Sequence, residues 1–148
     1  MKKSDKVADI IIAVLHHTRI IHGGIEEMSE LREQQMEALQ VAGEYSNKLI
    51  VAMNKIIEEL SGNRLPDTDE YMDSILKGLN WLFEVFNGTK DIINEKEVVI
   101  DKDVVNVSVN LLNEGINEKD DEKKAEALKG ILQFVEVFHA QAEKLTAN

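Results

Sequence analysis

Glu136 and His139 stand three residues apart, the Glu-x-x-His spacing with which helical bundles bring a carboxylate and an imidazole to one di-iron centre. Such a centre needs a second pair and further carboxylates. The position matching His139 in a related segment of the chain is Asn87, and on a helical wheel Glu136 points away from the apolar stripe of Leu128, Ile131 and Val135. His16, His17 and His22 lie one, five and six residues from one another, whereas ligand pairs on a helix need separations of three or four. A helix terminus, where imidazolium is mildly favoured, accounts for them better. With 28 acidic residues some carboxylate pairs are inevitable, and Glu84 and Glu136 both fall on the solvent side. There is no Cys, which removes thiol nucleophiles and thiolate metal sites. No G-x-S-x-G, P-loop, Rossmann or zinc-protease pattern is present. No catalytic, cofactor-binding or metal-ligating residue is therefore assigned, and a non-enzymatic role is expected.

The segment holding His139 has a counterpart. Leu128 to His139 reads LKGILQFVEVFH, and Leu76 to Asn87 reads LKGLNWLFEVFN, an offset of 128 − 76 = 52 residues. A fixed offset points to a duplicated supersecondary unit. Ile75-Leu76-Lys77-Gly78 and Ala127-Leu128-Lys129-Gly130 are similar to the Lys-Gly end of the motif in histidine phosphotransfer domains. Those domains are helical bundles whose phosphorylated His lies three residues before that Lys. Ser74 and Glu126 occupy the position here, so the resemblance covers a handful of residues, lacks its nucleophile and does not assign the family.

The elements that carry these residues are helices. Ser4-Asp5 caps a first helix with its stripe at Val7, Ile10, Ile11, Val14 and Leu15, and Gly23-Gly24 supplies the reversal near His22. A second stripe runs from Ile25 to Leu60, about 55 Å at 1.5 Å per residue, with Gln35 and Ser46 interrupting it and Gly43 as the place for a bend. Pro66 stops continuation, and a third helix spans about 70–93. Val104 to Val109 alternates like a strand, but the offset places Val109 on Ile57 and Leu112 on Leu60, so 104–113 is assigned as helix. The last helix spans about 121–145. Leu76, Leu79, Phe83, Phe86 and Ile93, with Leu128, Ile131, Val135, Phe138 and Leu145, form the two expected core stripes. Gly78 and Gly130 are expected where helices cross closely. Trp81, Val85 and Ile92 make the first copy apolar on a second side, so an N-terminal helix is expected to pack over Trp81.

The result is an all-α fold: one domain over 1–148, a bundle of four or five helices containing a tandem duplication of a helical hairpin. It divides into a first helix and turn (1–24), a long helix with the first repeat helix (25–94), and a second hairpin (95–148). A net charge of −11 argues against a nucleic-acid or anionic-lipid partner. The apolar run at Ile10–Leu15 is too short to span a bilayer, and a cytoplasmic protein is expected. The expected role is a protein–protein adaptor or chaperone-like module, acting on a protein partner or by self-association as a homodimer through amphipathic helices. Met28, Leu31, Met36 and Trp81 are the candidate partner-binding residues, methionine being adaptable to varied partners. The alternative is a small-molecule- or metal-binding bundle using Gln35 and Ser46.

Overall fold

The computed structural model describes residues 25–147 and, among them, only helices. The expected first helix and its Gly-Gly turn lie outside the described residues. The four helices are α1 (Ile25–Leu60), α2 (Thr68–Ile93), α3 (Lys102–Glu118) and α4 (Asp121–Thr146). The Val104–Val109 stretch is helical, and its helix continues past the expected Asn113 to Glu118. Packing of the half-buried Val105 and Val109 against the core overrides the β-branched propensity there. Asp101 caps α3 by accepting from the Asp103 amide at 2.9 Å, and Asp120 caps α4 by accepting from the Lys123 amide at 3.1 Å.

α1 runs unbroken through Gly43. That glycine serves packing instead of a bend: a Cβ on Gly43 would sit 3.1 Å from the Cβ of Ala142, so its absence lets α1 and α4 close on each other. α1 and α4 form the central pair. α2 packs on α1, α3 packs on α4, and α2 and α3 make no close backbone approach. A phenyl cluster joins α2 to α4, with Phe83 stacked on Phe134 at 5.1 Å and Phe86 edge-on to it at 5.5 Å.

Both repeat glycines lie at crossings. A Cβ on Gly78 would collide with the phenol oxygen of Tyr45 on α1, and one on Gly130 with the hydroxyl of Ser108 on α3. The α4 stripe is buried as expected at Leu128, Ile131, Val135 and Phe138, while Leu145, near the helix end, is only half-buried. The α2 stripe is rotated: Leu76 and Phe83 are half-buried, while Ile75 and Leu82 are buried. α2 turns this way because its Trp81–Val85–Ile92 side is apolar too and α1 covers it. Tyr45 meets Trp81 edge-on at 5.2 Å, so a helix does pack over Trp81.

Polar ties fix the ends of the bundle. The Asn94 side chain accepts from the Val99 and Ile100 amides and donates to the Ile100 carbonyl, which shapes the α2–α3 connection. Thr68 donates to the buried carboxylate of Glu59 at 2.8 Å. At the same end Arg64 donates to Asp121 at 2.7 and 3.1 Å and to Asp69 at 2.9 Å.

Candidate docking surface

The polar residues that interrupt the α1 stripe are consumed by packing. Gln35 donates to the Gly88 carbonyl at 3.0 Å, tying α1 to α2. The buried Ser46 hydroxyl donates to the Gly43 carbonyl at 2.7 Å and lies 3.0 Å from Nδ1 of His139. That nitrogen is also 2.8 Å from the Gly43 carbonyl. A carbonyl only accepts, so Nδ1 carries the proton. Nε2 then faces Glu143, 3.3 Å away.

Serine, histidine and glutamate thus meet at the α1–α4 crossing, but the order is wrong for a nucleophile. Ser46 sits on the protonated nitrogen and is fully buried, so no base takes its proton and no substrate reaches it. The crossing opens outward into a groove of about 620 Å³ lined by Gln40, Asn47, His139 and Glu143 among others. No group of three or more His, Asp or Glu side chains suited to a metal occurs among the described residues. The role of His139, locking α4 to the α1 backbone, was not legible in the sequence. Its signal was the coincidence of a small residue, Gly43, with a hydroxyl three positions on.

The candidate partner residues do not form one patch. The side chain of Met28 lies outside the described residues. Leu31 and Met36 are half-buried, as is Trp81 beneath Tyr45. Met36 and Tyr45 are nine residues apart on α1, which at 100° per residue puts them on opposite flanks. Met36 and Trp81 therefore border different grooves.

Exposed apolar surface gathers instead on α3 and the connection before it. Val98, Val104 and Val107 are 72%, 66% and 70% exposed. Val104, Val107 and the half-buried Leu111 follow three- and four-residue steps and form one ridge. The reason is topological: α3 has a wide apolar arc and, among the described residues, packs against α4 alone, with Leu112 and Gly115 its only buried residues. Ser108 lies opposite Gly130 and Gly115 opposite Lys124. This antiparallel register brings the part-exposed Val137 of α4 level with the start of α3. Asp103 and Glu114 border the ridge. The strand-like alternation of 104–109 was the sequence signal of this surface, since it put valines on both sides of a helix.

No helix among the described residues is long and apolar enough to cross a membrane. A family profile described as a domain of unknown function, DUF8042, matches residues 37–141, which is 105 of the 148. No curated protein and no solved structure matches the chain.

Proposed function

The chain belongs to the DUF8042 family, a domain of unknown function, and we propose that it is a non-enzymatic, cytoplasmic module that binds other proteins through the valine ridge of α3. The observation that carries this reading is the exposure of Val104 and Val107 on a helix that packs against one other among the described residues. Scattered exposed apolar residues are ordinary, but an aligned ridge on an under-packed helix marks a contact surface. A partner offering an amphipathic helix would complete the packing that α4 provides on one side only.

The test is a paired substitution. Val104→Asp with Val107→Asp should leave the far-ultraviolet circular dichroism and melting temperature nearly unchanged, because the side chains are solvent-exposed. Crosslinking in source cells should yield a discrete adduct with the native chain and lose it with the variant. An adduct that persists in the variant sinks the reading. An adduct of twice the chain's own mass would identify self-association through the same ridge.

A further inference from the structure

On the side of the molecule away from the α1–α4 crossing, the packed pair α1 and α2 leaves a shallow groove between the two helices, bordered by the half-buried Val41, Tyr45 and Trp81. Among the described residues, two buried polar atoms on this side have no hydrogen-bond partner: Oε1 of Gln34 and Nε1 of Trp81. Gln34, Val41 and Tyr45 recur at seven- and four-residue steps, so they share one flank of α1. The rims are acidic. Glu30 and Glu37 follow one another at a seven-residue step on α1, as do Glu84 and Asp91 on α2, and all four are exposed. Lys48 and Lys77 enter only below the level of Tyr45 and Trp81.

We propose that this groove is the docking site of the chain's own residues 5–22. Charge is the first argument. Residues 1–24 hold four cations (Lys2, Lys3, Lys6, Arg19) and two carboxylates, a net of +2, so the rest of the chain carries −13 of the overall −11. At helical spacing Lys6 and His17 flank one side of the Val7–Ile10–Ile11–Val14 stripe, and Arg19 and His22 flank the other. Asp5 and Asp9 fall on the back. Basic flanks on an apolar stripe match acidic rims on an apolar floor.

Length is the second argument. From Ile25 to Tyr45 is about 30 Å along α1, and 18 residues at helical rise cover about 27 Å after a reversal at Gly23-Gly24. The α3 ridge is out of that reach. The register of Gly43 against Ala142 and of Ser108 against Gly130 puts Val104 level with residue 51, about 39 Å below Ile25. The docked segment shields the single Trp of the chain, and it does so whether or not the α3 ridge binds a partner.

The full-length chain has no Cys, so Ala13→Cys carries a single nitroxide. The expected result is strong broadening of the Gln34 side-chain amide and the Val41 methyls, with the Val104 and Val107 methyls unaffected. Adding Ile10→Asp and Val14→Asp should abolish the broadening. In the chain without the spin label, the same two aspartates should raise acrylamide quenching of Trp81 at least twofold, with the helical signal of the remainder retained. Broadening at Val104 and Val107, or no broadening of Gln34, overturns the proposal. So does broadening that appears only between spin-labelled and isotope-labelled chains mixed one to one, because the occupant would then be a second copy.

Discussion

Two twelve-residue segments that match at six positions, Leu76–Asn87 and Leu128–His139, lie in two different environments, and the contrast separates what a sequence segment encodes from what its partner helix decides. In α2 the segment is covered on two sides, by α1 through Tyr45 and by the phenyl cluster toward α4. In α4 it lies against α1 on one side and the short α3 on the other. The glycines make the point most sharply. Gly78 faces Tyr45 and Gly130 faces Ser108, but the 52-residue offset would put Ser108 on Ile56, not on Tyr45. The connections differ as well, seven residues between α1 and α2 against two between α3 and α4. One pattern thus supports two crossings at different heights.

The largest test of the contrast is to remove matter from each side of it. Phe138 is fully buried in α4, and Phe138→Ala should cost about 3–5 kcal/mol in urea unfolding. Val107 on α3 is exposed, and Val107→Ala should change stability by less than about 0.5 kcal/mol. A comparable loss at both positions would mean that α3 is buried in solution and that the ridge is not free.

Next in size is the crossing at Gly78. Gly to Ala inside a helix ordinarily stabilises by about 0.5–1 kcal/mol. Here the new methyl meets the Tyr45 phenol, whose ring is held edge-on by Trp81, so Gly78→Ala should instead destabilise by about 1–3 kcal/mol. Tyr45→Phe removes the colliding oxygen and should recover much of that loss, a coupling readable in a double-mutant cycle. Additive effects would show that the clash is not what sets the close approach.

Helix content, the existence and order of the four described helices and the close approach at both glycines were legible because they rest on local periodicity and on residues with one physical use, whereas the end of α3 was placed at Asn113 and lies at Glu118. The facing of α2 was not. Its Leu76 and Phe83 were expected in the core and are half-buried, since a helix apolar on two sides has no preferred rotation until its neighbours are known. The same limit hid His139. A histidine whose ring proton goes to a backbone carbonyl 96 positions away leaves no pattern in its own neighbourhood. Candidate surface residues fared similarly: Met36 and Trp81 share an apolar character but not a flank.

A smaller effect tests the two-residue turn that makes the second hairpin tight. Lys119 ends α3 in the left-handed region, with φ 53° and ψ 43°. A side chain there is disfavoured by about 1–2 kcal/mol, and glycine is not. Lys119→Gly should therefore stabilise the protein by about 1 kcal/mol, less whatever glycine gains in unfolded-chain entropy. A melting temperature that falls would place the turn in another conformation in solution.

The smallest expected effect lies where the two hairpins are joined, at Arg64. Its guanidinium holds the carboxyls of Asp121 and Asp69 below their ordinary range by hydrogen bonding, and they in turn raise the Arg64 pKa. Arg64 and Asp69 are exposed and Asp121 is only half-buried, so solvent screening keeps the contribution small. Its sign is nonetheless fixed. A carboxyl depressed in the folded state contributes stability above the unfolded value of about 4, and loses it as pH falls through the folded value. The native chain should therefore show a higher urea midpoint than Arg64→Ala at pH 7, and the gap should close on titration below pH 4. Added salt at pH 7 should narrow the same gap. A gap that survives both would assign Arg64 to packing of its aliphatic stem at the α1–α2 turn. The two hairpins would then be joined by apolar contact at this end, as they already are along α1 and α4.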